Sequence, residues 1–355
     1  MKILFSLLLF SCLVFALILP VSGQEPVDLI RDLRKIHTPN GIEVLEQVEL
    51  NGSKQWISIR GKDKSNPVLL VLHGGPASPL MPVSWAYQSP WEDYFTVVNW
   101  DQRAAGKNWM NTDTTLVAEQ LEFRTLIRDA YYLVDHLRER LQQEKIFLMG
   151  YSYGSGIGIR MAARIPDKLH AYIGMGQMAP GKPEQVIYNR LLDLAKEAQH
   201  VEALRELEAL APYPAADGAT PMKKIITVRK WARYFNGGWY GKQDFKLFFS
   251  LPELSPDYSP EEIQSLDVST AWITRKILAQ GGAGDFPMDF RIPVVMMMGM
   301  HDLHTPYESV VNYWEQLSAP NKQLITFDYS GHMPFLEEPG KFLVELVNKV
   351  RPLAD

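Results

Sequence analysis

Several short stretches of this chain are apolar at consecutive positions, not at every second one: residues 68–72, 95–100, 146–149, 172–175, 294–298 and 324–327. Unbroken apolar runs of this length fit strands covered on both faces. Residues 44–50 and 55–60 behave differently, alternating apolar and polar around Asn51-Gly52, which predicts a hairpin. Between the strands the period changes. Phe123, Ile127, Ala130, Val134, Leu137 and Leu141 recur at spacings of three and four and predict a long helix. Residues 155–165 predict another, closed by Pro166, and residues 25–37 a short one with Val27, Leu29, Ile30, Leu33 and Ile36 on its apolar side. Strand alternating with helix, with strands of this kind, predicts an α/β fold: a mostly parallel sheet flanked by helices.

Residues 179–287 break that rhythm. They hold no convincing buried strand and read as an inserted, mainly helical cap, leaving residues 24–178 and 288–355 as the core. An aromatic cluster lies within the insertion (Trp231, Tyr234, Phe235, Trp239, Tyr240, Phe248 and Phe249). It suits equally the apolar wall of a pocket and the cap's own core. At the other end, Lys2 precedes an apolar run from Ile3 to Leu19, followed by Pro20, Val21, Ser22 and Gly23. This is the pattern of a secretory signal peptide over residues 1–23, with an uncleaved N-terminal anchor as the rival. The mature chain is then expected to be secreted or periplasmic and free of the membrane.

Composition narrows the chemistry. The formal charge is −5, so there is no electrostatic footprint for nucleic acid. The single Cys, Cys12, lies in the leader, which excludes a thiol nucleophile, a zinc–thiolate site and an internal disulfide in the mature chain. No cofactor is called for.

The strongest local signal is Gly150-Tyr151-Ser152-Tyr153-Gly154, set between a strand and a helix. This is the nucleophile elbow pattern, whose tight turn needs small flanking residues and lifts the serine above the sheet. A serine needs a base, and the base an orienting carboxylate. His170, His200, His301, His304 and His332 follow Ser152. His332 stands just past the last predicted strand, where an imidazole reaches back over the sheet. Asp302 follows the strand 294–298, with Asp328 and Glu337 as the alternative orienters. His301-Asp302-Leu303-His304 also raises a metal site, but adjacent His and Asp on a loop do not readily converge on one ion. His73-Gly74-Gly75-Pro76 follows the strand 68–72, where a glycine-loop N–H can serve an oxyanion. Gly75 and Tyr153 are therefore the expected donors, with Gly74 the alternative to Gly75.

With Asp101-Gln102-Arg103-Ala104 added, these segments resemble the α/β-hydrolase superfamily, and within it the proline iminopeptidase group. The resemblance implies an α/β-hydrolase fold, Ser152 as nucleophile, Asp302 and His332 as its partners, and Gly75 with Tyr153 as the oxyanion hole. It also implies a serine aminopeptidase that releases N-terminal proline or a small apolar residue from short peptides. Two other readings stand beside it: an esterase or amidase for small apolar esters, and a silent hydrolase fold used for binding. The chain departs from the group's pattern at Ala77 and Ala104, each in place of a usual glycine, and at Tyr153 in place of a usual tryptophan. An aminopeptidase also needs cap carboxylates for the substrate's ammonium. Glu184, Glu202, Glu206, Asp244 and Glu253 are available, and helical spacing reads the first few as solvated faces.

Overall fold

A computed structural model describes residues 25–218, 220–279 and 284–354; the leader assigned to residues 1–23 lies outside them. Eight strands form one sheet: β1 (Ile42–Leu50), β2 (Ser53–Gly61), β3 (Val68–Leu72), β4 (Thr96–Trp100), β5 (Ile146–Tyr151), β6 (Leu169–Met175), β7 (Val294–Gly299) and β8 (Lys322–Phe327), in the order β1-β2-β4-β3-β5-β6-β7-β8. β1 and β2 are the expected hairpin, with Asn51 at φ 49 and Gly52 at φ 73, as a two-residue turn of this kind requires. β2 runs antiparallel to β4, and every later pairing is parallel.

The unbroken apolar runs have a direct cause. Val68, Leu70 and Leu72 of β3 enter one core cluster, and Leu69 and Val71 enter the cluster on the opposite face. In β7, Met296 and Met298 divide from Met297 in the same way, so these methionines are core packing. Helices α1 (Pro26–Leu33), α2 (Thr114–Gln120), α3 (Phe123–Arg140) and α4 (Tyr153–Arg164) follow in chain order. Leu133, Val134 and Leu137 of α3 join Ile157 of α4 on one face of the sheet, while Trp91, Phe335 and Phe342 fill the other. The amphipathic reading of α1 meets a different outcome. None of its residues is buried, and Leu33 is 86% exposed. Periodicity reports that an apolar face exists; burial also needs an element opposite it.

The stretch between β6 and β7 is helical among the described residues: α5 (Pro183–Glu197), α6 (Val201–Glu208), α7 (Met222–Tyr234), α8 (Lys246–Ser250) and α9 (Pro260–Leu278). It has its own core, with Ile187, Leu191, Leu207 and Trp231 meeting Leu303 from the loop after β7. α9 starts with a full capping box between Ser259 and Glu262. Among the described residues no helix is long and apolar enough to cross a membrane.

The chain leaves β3 for β4 on one side, and later β5 pairs on the other side of β3. Loops leaving the C-terminal ends of β3 and β5 therefore diverge. The crevice between them is where open α/β sheets place their ligands.

Candidate active site

Ser152 occupies that crevice, at the junction of β5 and α4. Its backbone has φ 51 and ψ −120, a strained conformation for a residue with a side chain. The turn is held from inside, since the Ser152 N–H donates to the carbonyl of Met175 at 3.0 Å. Both flanking glycines are sterically required. A Cβ at Gly150 would lie 2.6 Å from Ser155 Cα, and one at Gly154 would run into the carbonyl oxygen of Leu72.

The loop after β7 supplies Asp302, which is fully enclosed. Its Oδ1 accepts the backbone N–H groups of His304 (2.7 Å) and Thr305 (2.9 Å). Its Oδ2 accepts the Thr305 hydroxyl at 2.8 Å and lies 2.8 Å from Nδ1 of His332. His332 stands on the loop after β8, its ring 5.1 Å from that of Tyr151, next to the serine. A Cβ at Gly176 would come within 3.0 Å of the same imidazole, so the turn after β6 also closes on it. Of the alternative orienters, Glu337 instead accepts the N–H groups of Gly331 and Met333, each at 2.8 Å, bracketing the His332 backbone. Burial raises the Glu337 carboxyl above its ordinary range. Asp328 pairs with Lys341 on the surface. His301 turns away from Asp302, its Nε2 against the carbonyl of Asp328 and its ring against Tyr240.

The glycine loop after β3 reaches the serine from the opposite side. A Cβ at Gly74 would lie 2.8 Å from Ser152 Cβ, so nothing larger than glycine fits there. The loop is locked to the next one. His73 Nε2 accepts the Gln102 N–H at 3.1 Å, and Gln102 Nε2 donates to the His73 carbonyl at 2.9 Å. Burial lowers His73 to about 4, so it stays a neutral structural ring. Arg103 then clamps Asp129 of α3 with two bonds of 2.8 Å, and Asp129 also accepts from Asn51 and Gln55. The Asp-Gln-Arg segment thus fastens the glycine loop to the sheet.

A cavity of about 370 Å³ opens at Ser152. Gly75 and Tyr153 line it from the core, and His304 from the loop after β7. Glu184 of α5 and Arg229 of α7 line it from the helical insertion. The expectation of solvated carboxylates fails for Glu184. It is only 22% exposed, takes two contacts from Arg229 and accepts the hydroxyl of Tyr213. Glu202 does face solvent beside Lys230, while Glu206 pairs with Lys230 and also accepts the Trp231 indole N–H at 2.9 Å. No member of the aromatic cluster lines this cavity; Trp231, Tyr234 and Phe235 pack into the insertion's own core. Arg229 carries no signal in the sequence. His304 enters the sequence reading only as one of five histidines after Ser152 and as one of two in the loop 301–304.

The model of the alpha/beta hydrolase fold family matches residues 67–339. Among curated relatives, a probable aminopeptidase (YbaC) of Bacillus subtilis is 28% identical over 87% of this chain and 97% of its own length. A proline iminopeptidase of Lactobacillus delbrueckii subsp. bulgaricus is 23% identical over 81% of this chain and 90% of its own. Among solved structures, a proline iminopeptidase of Mycobacterium smegmatis superposes with a TM-score of 0.59 at 17% identity, covering 88% of this chain and 99% of that one. At that identity the likeness speaks for the fold alone.

Proposed function

We propose that this chain, which belongs to the α/β-hydrolase family, is a serine aminopeptidase that releases an N-terminal proline or small apolar residue from short peptides. The observation that carries the reading is the sharing of one cavity by Ser152 and Glu184. Ser152 attacks the carbonyl, His332 takes its proton and returns it to the leaving amine, and Asp302 fixes the imidazole tautomer. Backbone N–H groups of Gly75 and Tyr153 receive the oxyanion, each worth about 2.7–4 kcal/mol. Glu184 receives the substrate's ammonium, with Arg229 and Tyr213 holding its orientation. The cavity is near the small end for ligand sites, which favours a small acyl residue.

Residues 179–287 act as the cap that selects substrate over a core of residues 24–178 and 288–355. With residues 1–23 as a cleaved leader, the mature enzyme works outside the cytoplasm, secreted or periplasmic. A second reading, an esterase or amidase for uncharged substrates, is favoured by one detail: Glu184 already has a cationic partner in Arg229.

The deciding assay compares a prolyl arylamide with its N-acylated form and with short-chain acyl esters, using Ser152→Ala as the control. Hydrolysis confined to the free amine supports the aminopeptidase. Turnover of esters alone removes it in favour of the second reading. A fluorophosphonate probe that labels the intact chain no faster than Ser152→Ala overturns serine catalysis altogether.

A further inference from the structure

His304 is two residues past Asp302 in the same loop, yet the triad does not use its side chain. Its ring stacks on that of His332, with centroids 5.0 Å apart and planes 21° apart. Phe245 of the helical insertion also meets the His304 ring, at 5.5 Å and 33°. Its Nε2 is buried and has no hydrogen-bond partner among the described residues. The ring nevertheless lines the cavity that holds Ser152. A buried imidazole nitrogen without a partner is unfavourable, so the ring is held against His332 at a cost to the fold.

The surroundings of this ring set its charge. Asp302 lies in its own loop and accepts the His304 backbone N–H. His332 faces it from the loop after β8, and Arg229 and Arg233 from α7; Glu184 of α5 is neutralised by Arg229. Burial first, then the charges of His332, Arg229 and Arg233, hold His304 well below the usual imidazole range. It therefore remains uncharged while His332 gains a proton during acyl transfer. An uncharged ring beside a nascent cation leaves its charge unopposed, whereas a second cation there repels it.

We propose that His304 is a positioning residue, bracing the catalytic imidazole of His332 by stacking and favouring the imidazolium that forms there. The inference rests on the proposed roles of Ser152, His332 and Asp302. In the full chain, His304→Ala is expected to lower kcat by roughly tenfold with KM little changed, as loss of an effect near 1.4 kcal/mol requires. His304→Phe, which keeps the stack without the nitrogens, is expected to stay within about threefold of wild type in kcat. His304→Arg places against His332 a cation that burial cannot discharge, so the acid limb of kcat/KM moves to lower pH by about one unit, a readout that mere packing does not move.

Wild-type kcat in His304→Ala, equal impairment in the Phe and Ala variants, or an unmoved acid limb in His304→Arg each overturns the proposal. Ser152→Ala is assayed in parallel. If it keeps activity, the underlying serine mechanism has failed; if it is inactive while His304→Ala matches wild type, only the stacking role is lost.

Discussion

The carboxyl of Asp101, just past β4, is hydrogen-bonded by the phenol of Tyr258, which lies 157 positions further along the chain, immediately before α9. The same Oδ2 accepts the Lys107 N–H at 2.8 Å, and the Lys107 ammonium reaches Glu262 in the first turn of α9. Core and insertion are thus joined at a buried acid rather than only by apolar contact.

That junction makes stability depend on pH. Burial raises the Asp101 carboxyl to about 7, against the opposing hydrogen bonds from Tyr258 and Lys107. The folded state therefore holds this proton more tightly than the unfolded chain does. The contribution is fully present below the unfolded value of about 4 and is lost as pH rises through about 7. Asp101→Asn cannot titrate, so wild type is expected to lose ground to this variant between pH 4.5 and 8. Thermal melts of both at several pH values measure it; parallel curves would mean that Asp101 does not titrate in that window.

Much of this architecture was legible because its causes are local. The elbow needs glycines where Leu72 and Ser155 press in, and such a requirement appears as a motif. Strands covered on both faces appear as unbroken apolar runs. Chain order singles out Asp302 and His332, whose side chains lie 2.8 Å apart. Glu184 was not legible, since periodicity names a helix face without saying what the face meets. Its surroundings are set by Arg229 and Tyr213, which are distant in sequence. His304 was hidden for the same reason: its significance lies in stacking on a residue from another loop.

Asp302→Asn tests the orienting carboxylate without removing it from the loop. The amide oxygen can still accept from His304 N–H and Thr305 N–H, so the fold is retained. The amide nitrogen then faces Nδ1 and imposes the wrong tautomer. A fall in kcat of about 10⁴ is expected with unchanged circular dichroism. A fall of less than about tenfold would assign the orienting role elsewhere.

Glu184→Gln separates recognition from chemistry. KM for a free-amine prolyl substrate is expected to rise at least tenfold, about 1.4 kcal/mol, with ester turnover unchanged. Equal losses on both substrates would point instead to collapse of the Arg229 contact.

Ala77 and Ala104 adopt φ 61 and 63, in the left-handed region that favours glycine. Each is 3% exposed, so its methyl is buried. Replacement by glycine relieves about 1–2 kcal/mol of strain. It also forfeits about 0.8 kcal/mol of burial and about 0.5–1 kcal/mol of chain entropy. Ala104→Gly is accordingly expected to be neutral within about 1 kcal/mol, which explains how an alanine persists there. Ala104→Val adds β-branching to a left-handed residue in a packed site and is expected to cost at least about 2 kcal/mol. Denaturant midpoints of the two variants decide the matter.

The His332 N–H donates to the carbonyl of Gly238, a residue of the insertion, at 2.9 Å. A Cβ at Gly331 would also meet the carbonyl of Asn236 at 2.8 Å. A graft that exchanged this insertion for a relative's, in order to transplant substrate preference, would therefore replace part of the scaffold behind His332, the proposed general base. On the proposed roles, selectivity and turnover are inherited together, and a donor segment has to reproduce that backbone contact before its own pocket can be put to use.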